Sequence, residues 1–558
     1  VIPDILARIV EDRRRRIAAV GHAQGLEELI DGGGGANSAA AGAGAGIAAG
    51  AGTHAPAVPF PGPVICEVKR RSPSRGDLAA DADPVERAGL YRAAGATSVS
   101  VLTEEDHFAG SLADLIAVKR AYPDLAVLRK DFLLDEEDLR VSRRAGADAV
   151  LLIAAILDRP TMARLLAEAE RLGLAALVEV HNEAELELVA PLRPKLLGIN
   201  SRDLRTFRVD LLGPVALSER IDWECRTVFE SGVFGRAEAR LARDAGFGSV
   251  LVGEAVVKDP RRVSVLVEEM NRNPGDARRG RGPAGPSAGS FWTEIARRRR
   301  ERRLEAPLRP LVKVCGITNI EDARLAVDLG ADLLGLIYAT SPRTAPEGLA
   351  KELRAAGITV PLVGVVVEPE MLPGIAGAAV PEAIVFLSRA RADLRAGYLS
   401  ALQLHGASPP ENALEFAWPA YTAVRFRTPG EATTTIPRIV TPRFLVDAYD
   451  SRAAGGTGHS VSREIMDTVT TAIDEGPHGA LWLAGGLNPD TVTDAIRRWH
   501  PELIDASGGL EAEPGRKDPD RLRAFFAAVD AASRDDSKYD PAAAYAATRN
   551  DRRERKER

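Results

Sequence analysis

The sequence has 558 residues, 45% of them hydrophobic and 27% charged, and a formal net charge of −6. That balance is ordinary for a soluble globular protein with more than one core, and it shows no preference of the whole molecule for nucleic acid. Three cysteines, Cys66, Cys225 and Cys315, are too few for a disulfide framework and wrongly spaced for a metal site, and no apolar run is long enough to span a bilayer.

In chain order, VIPDILARIVEDRRRRI reads as an amphipathic helix rather than a signal peptide, which would need an apolar core and a cleavage site, so a cytoplasmic location is expected. Residues 32–52, GGGGANSAAAGAGAGIAAGAG, are Gly/Ala of low complexity with nothing to bury, and read as a flexible insertion. A rhythm of short β-rich runs then begins: VICEVK, TSVSVLT, AVLRKD, DAVLLI, AALVEV, LLGIN, TVFES and SVLVG. Helix-like stretches such as DPVERAGLYRAAGA and RPTMARLLAEAERLG fill most of the intervals. Parallel strands buried on both faces read as continuous apolar runs, and eight strand–helix units predict a closed (β/α)8 barrel within residues 1–273. The Pro/Gly/Arg-rich segment 274–289 reads as a linker, and the following FWTEIARRRRERRLE as a solvated, Arg-rich helix in preference to a nucleic-acid patch. The rhythm restarts with LVKVCG, DLLGLIY, PLVGVVV, SALQLHG, YTAVRF, FLVDA, ALWLAGG and LIDASGG, with AIVFLS assigned to a helix, which predicts a second barrel within 290–532. Residues 533–558 read as a charged, disordered tail. The fold class is therefore α/β, two consecutive (β/α)8 barrels.

The strand VICEVK is interrupted by a carboxylate at Glu67 and an ammonium at Lys69, two residues apart and so on one face. A barrel interior is packed, but the C-terminal ends of its strands open on the active-site face. Polar residues at strand ends then line a mouth: Glu67 and Lys69, Lys130 in LRKDF, Glu179 in LVEV, Asn200 in GIN, Glu230 and Ser231 in FES. Two lysines among three carboxylates suit acid–base work on a sugar, because neighbours push such pKa values apart. The turns SRG, ESG and LVGE offer amides and hydroxyls to a phosphate.

EVKRRSPSRG, LRKDF, GADAVLLI, LVEVH, GINSRDL and ESGV, in this order between Asp4 and Met270, resemble indole-3-glycerol-phosphate synthase. The resemblance implies ring closure, decarboxylation and dehydration of 1-(2-carboxyphenylamino)-1-deoxyribulose 5-phosphate. It implies Lys130 as general acid for ring closure and Glu179 in the dehydration. Lys69 would hold the substrate carboxylate or donate a proton, and Glu67, Asn200 and Glu230 would position hydroxyls and these lysines. Ser72, Arg202, Ser231, Gly232 and Gly253 would bind substrate and its phosphate. Two departures are the Gly/Ala insertion, which puts the N-terminal cover of the site in doubt, and His107 in EDHFAG.

In the second half, Cys315 ends the first strand beside a Gly turn; on an apolar strand a cysteine is usually a small core residue. Yet SPR follows the second strand, Asp447 ends the sixth, and Gly- and Ser-rich turns follow the seventh and eighth. KVCGIT, SPR, LQLHG, FLVDA with GGTG, LAGGL and SGGLE, from Leu311 to Val529, resemble phosphoribosylanthranilate isomerase. The resemblance implies an Amadori rearrangement with Cys315 as general base and Asp447 as general acid. Arg343 would meet the anthranilate carboxylate, and Gly456, Gly485, Gly486, Ser507 and Gly508 would complete the phosphate-binding set. DASGG departs from the usual pair of serines.

The product of the second half would be the substrate of the first, two consecutive steps of tryptophan biosynthesis. The resemblance implies no metal or organic cofactor, phosphorylated small molecules as partners, no nucleic acid or membrane, and a monomer or weak oligomer. The rival readings are one active barrel beside a degenerate phosphate-binding scaffold, and an isomerase for a related phosphoribosyl aminoaldose.

Overall fold

The structure, a computed structural model, describes residues 4–22, 58–72, 76–77, 82–204, 208–272, 288–367, 381–405, 419–439, 441–447, 463–476 and 479–534. The Gly/Ala insertion 32–52, linker residues 274–287, the tail beyond 534 and the GGTG turn with Gly456 lie outside the described residues, as does the side chain of Ser72. The chain divides into two compact units, one of Val1–Asn200, Ile221–Gly235 and Phe247–Asn271, the other of Ser201–Arg220, Arg236–Gly246 and Arg272–Arg558.

All strands of the first barrel lie in the first unit: β1 (Val64–Val68), β2 (Ser98–Leu102), β3 (Ala126–Lys130), β4 (Ala149–Ile153), β5 (Ala175–Val180), β6 (Leu196–Asn200), β7 (Arg226–Glu230) and β8 (Ser249–Val252). Each pairs in parallel with the next, and β8 closes on β1 with Val64 opposite Val250. All five residues of β1, β2 and β4 are buried, as strands covered on both faces require. The intervening helices start where Asp83, Ser111, Asp135, Asp158 and Asn182 accept from the first free backbone amides.

The second barrel repeats the order with β9 (Leu311–Cys315), β10 (Leu333–Tyr338), β11 (Leu362–Val367), β12 (Ala401–His405), β13 (Ala420–Val424), β14 (Phe444–Val446), β15 (Trp482–Ala484) and β16 (Leu503–Ala506). It closes between β9 and β16, Leu311 opposite Leu503. The AIVFLS run lies within the helix Pro381–Arg395. In both barrels, parallel closure gathers the C-terminal strand ends at one mouth. Among the described residues no helix is long and apolar enough to cross a membrane.

The Arg-rich helix, Ala288–Glu305, is not the solvated element expected from its charges. Phe291, Trp292, Ile295 and Ala296 fall on one helical face and are buried. Phe291 stacks parallel on Tyr421 with ring centroids 6.2 Å apart, and Trp292 lies 5.9 Å from Trp482, both at the N-terminal ends of their strands. Three of its arginines are paired: Arg299 Nε lies 2.9 Å from Glu502, Arg302 Nε 2.9 Å from Asp332, and Arg297 2.7 Å from Glu294. Arg443, fully buried, pairs with Glu502 as well.

Trp292→Ala should therefore destabilise the second barrel by about 3–5 kcal/mol, the range for deleting a buried aromatic. Urea unfolding followed through the second barrel's tryptophans measures it; a loss typical of an exposed site would show that the helix is not part of that core.

Candidate active sites

At the first mouth, β1 ends in Glu67 and Val68 and hands the chain to Lys69, whose ammonium pairs with the Glu67 carboxylate. Lys130, last residue of β3, places Nζ 3.7 Å from Glu67 and 3.6 Å from Glu230, the last residue of β7. Glu179 of β5 sits 3.2 Å from His181 Nε2, and the other ring nitrogen of His181 lies 2.9 Å from Glu185. Five of the seven residues expected at this mouth are thus tied together through Lys130 and its carboxylates; Asn200 closes β6 opposite Glu230 in register, and Ser231 follows β7.

Two glycines make room for these groups. A Cβ on Gly198 would lie 1.9 Å from Glu230 Oε1, and one on Gly253 would lie 2.3 Å from Glu67 Oε2 and 2.8 Å from Lys69 Nζ. Gly253, expected to bind phosphate, is thus a glycine for a second reason, the close approach of the Glu67–Lys69 pair. Ser231 and Gly232 both turn through left-handed backbone (φ 66° and 73°). For Ser231 that conformation costs on the order of 1 kcal/mol, strain of a kind that gathers at functional turns. Arg202 lies two residues past β6, in an isolated bridge with Val209. Ser72 belongs to a two-residue strand, Arg71–Ser72, paired with Gly76–Asp77. His107 Nε2 lies 3.1 Å from Asp12 Oδ2 of the N-terminal helix, and its backbone amide donates to Glu104.

The electrostatics split the carboxylates. Burial raises the pKa of Glu179, but His181 and Lys130 outweigh it and hold the group ionised. Burial and the neighbouring Glu179 carboxylate push Glu230 well above the ordinary range. Burial would strip Lys130 of its charge, yet Glu230, Glu67 and Glu179 together keep it an ammonium. For His181 burial is likewise overcome, by Glu179 and Glu185, and its pKa stands at about 10.

At the second mouth Cys315 ends β9, buried, and the bare face of Gly335 in β10 gives its sulfur space: a Cβ there would stand 2.6 Å from Sγ. Burial raises the thiol pKa; Lys313 and Lys517 act against this and Asp505 adds to it. Asp447, just past β14, accepts from Arg425 at 3.0 Å and lies 3.3 Å from His405 Nε2. Burial and then Arg425 lower the His405 pKa to about 4, leaving the ring neutral. Arg343 meets Glu511 in a two-point pair, Nε and Nη2 at 2.9 and 2.8 Å, so a substrate carboxylate would have to share or replace that partner. After β15, Gly485 and Gly486 take positive φ (97° and 66°). After β16, Ser507 Oγ is buried with no hydrogen-bond partner among the described residues, and Gly508 opens a single 3-10 turn.

Sequence reasoning missed His181, His405, Arg425, Lys313, Asp505 and Lys517 as members of these mouths. LVEVH and LQLHG held the two histidines in plain view at the strand ends; the others sit deeper in strands or beyond them, where position along the chain gives no sign of which groups they face.

Comparison with known families agrees in order. The family profile described as indole-3-glycerol phosphate synthase matches residues 6–266, and that of N-(5'-phosphoribosyl)anthranilate isomerase matches 375–528, a range that begins after Cys315 and Arg343. The indole-3-glycerol phosphate synthase of Nocardioides sp. is 50% identical over 202 residues, 35% of this chain and 75% of the relative. A multifunctional tryptophan biosynthesis protein of Schizosaccharomyces pombe is 30% identical over 500 residues, 84% of this chain and 59% of the relative. The tryptophan biosynthesis protein TRP1 of Phytophthora nicotianae is 29% identical over 494 residues, 80% of this chain and 87% of the relative. The chain spans 59%, 63% and 62% of the length of three multifunctional tryptophan biosynthesis proteins that it resembles.

A raised histidine pKa contributes stability that is complete below the unfolded value near 6.5 and is lost as pH rises through the folded value of about 10. His181 should thus stay protonated at pH values where an ordinary histidine is neutral. Ring resonances in histidine-labelled protein read this directly, and an imidazole titrating near its usual pKa would refute the Glu179–His181–Glu185 arrangement.

Proposed function

The chain belongs to the indole-3-glycerol phosphate synthase family, and we propose that it is a bifunctional enzyme of tryptophan biosynthesis. Its second barrel isomerises N-(5-phosphoribosyl)anthranilate to 1-(2-carboxyphenylamino)-1-deoxyribulose 5-phosphate. Its first barrel converts that product to indole-3-glycerol phosphate.

In the isomerisation, Asp447 protonates the ring oxygen as the C1′–O4′ bond breaks and the nitrogen lone pair forms an iminium. Cys315 then takes the C2′ proton, giving an enol. As the enol becomes a ketone its hydroxyl proton leaves and C1′ gains one, which yields the aminoketose. Arg343 orients the anthranilate carboxylate, and the turns at Gly485–Gly486 and Ser507–Gly508 hold the phosphate, helped by the unsatisfied Ser507 hydroxyl.

In the first barrel the aromatic carbon bearing the carboxylate attacks the C2′ carbonyl while Lys130 protonates its oxygen. Carbon dioxide leaves and the aromatic ring is restored. Glu179, held as an anion, takes the C1′ proton, and the hydroxyl departs as water with a proton from one of the two lysines. Lys69 holds the substrate carboxylate; Glu67, Asn200 and Glu230 fix the lysines and sugar hydroxyls; Ser72, Arg202, Ser231, Gly232 and Gly253 serve the phosphate end. The observation that carries this reading is Lys130, a charged donor held at 3.6–3.7 Å between Glu67 and Glu230 beside an ionised Glu179.

Assays of the two half-reactions on the whole chain test it. Lys130→Ala should cost the synthase on the order of 10²–10⁴ in rate and spare the isomerase, as expected for removal of a general acid. Near-normal synthase turnover would remove Lys130 from the mechanism. Cys315→Ser should do the reverse, since a hydroxyl is a far poorer base than a thiolate. Gly335→Ala should also silence the isomerase alone, because the new methyl occupies the space of Sγ; an isomerase working at the parent rate would show that the sulfur has room to move.

A further inference from the structure

We infer that Lys313 and Asp505 are positioning residues for Cys315, an opposed charge pair inside the barrel that decides whether its sulfur carries a proton. The inference rests on the isomerase reading for its catalytic meaning, but not for its physics.

Lys313 precedes Cys315 by two residues in β9, so both side chains leave the same strand face. Its ammonium is fully buried, 2.5 Å from Asp505 Oδ2 of β16 and 2.9 Å from Gln403 Oε1 of β12. Gln403 is itself fixed by the Tyr421 hydroxyl, which donates to it at 2.9 Å. Of the three donors on an ammonium, Asp505 and Gln403 take two, and Cys315 follows on the same face of the strand, where the charge of Lys313 lowers the proton affinity of the thiol. Asp505 Oδ1 has no hydrogen-bond partner among the described residues, so this carboxylate keeps one oxygen uncompensated.

The other charged groups near Cys315 are committed elsewhere. Lys517 donates to the Cys315 carbonyl oxygen at 2.7 Å and pairs with Glu511 at 3.0 Å, and Arg343 pairs with the same Glu511. Asp447 is held by Arg425, which also donates to His405 Nε2. Beneath the sulfur, then, stand one cation and one anion, acting in opposite directions: the ammonium favours the thiolate and the carboxylate opposes it.

A merely structural pair would respond to either deletion in the same way; a charge pair responds with opposite signs. The test is the pH dependence of Cys315 alkylation by iodoacetamide in the full chain, read on the peptide that contains it. Asp505→Asn keeps the shape and leaves Lys313 unopposed, so it should move the profile to lower pH and speed alkylation near neutrality about tenfold. Lys313→Met should move it to higher pH. An Asp505 left without its cation takes up a proton, so the double variant K313M/D505N should move upward with Lys313→Met and guards against a single variant that fails to fold. The acid limb of isomerase kcat/KM should move in the same directions. Displacements of like sign, or none in any folded variant, overturn the inference. Alkylation needs no substrate, so absence of isomerase activity in the parent chain would defeat the functional reading and leave this one to be decided by the thiol.

Discussion

A parallel strand covered by helices on one side and by the packed barrel interior on the other has no solvated face, and it can place a charge in only two ways. It can carry the charge at its C-terminal end, where the barrel opens, or it can pair the charge inside. Most of what distinguishes the two halves of this protein follows from which choice is made. In the first barrel the charges crowd the strand ends, and Lys130 is the hub through which Glu67, Glu179 and Glu230 are made compatible. In the second, Lys313 is fully buried within a strand and is tolerated because Asp505 and Gln403 meet it there.

The two solutions prepare different chemistry. Crowding carboxylates around one ammonium forces them apart in proton affinity, Glu179 downward and Glu230 upward, and the ammonium stands as a donor beside an ionised Glu179. At the second mouth Arg425 holds Asp447 and donates to a neutral His405, and Cys315 stands over an internal ion pair. Glycine is the silent partner in both. Gly198 and Gly335 lie in the middle of strands, where the residue usually weakens a sheet, and each is required because a side chain of the mouth, from the neighbouring strand, fills the space a methyl would occupy.

Both barrels are legible in the chain because buried parallel strands write themselves as apolar runs, and polar residues at the ends of such runs stand out. Glu67, Lys130, Glu179 and Glu230 can be found for that reason, and so can Cys315 once the turns after β15 and β16 are taken together. The helix Ala288–Glu305 defies its composition because a crowd of arginines and glutamates hides a short apolar face, and composition says nothing of whether a guanidinium will find a carboxylate across the fold. Lys313 escapes notice for a related reason. It sits in LVKVC as an apparent blemish, and its partner stands 192 residues away in the last strand. Periodicity reports which face a side chain takes and is blind to what waits there.

That distance has a bearing on how the second barrel is made. A ribosome delivers β9 first and β16 last of this barrel's strands, so Lys313 waits for the synthesis of 192 residues before the carboxylate that justifies its burial is made. Until Asp505 emerges, β9 bears a solvated charge in the midst of Leu311, Val312 and Val314. A lone lysine in an apolar strand is a known deterrent to edge-to-edge pairing between chains. The residue that sits beneath the thiol in the finished barrel is thus also a gatekeeper for the nascent one, released from that duty only when the final strand closes the ring.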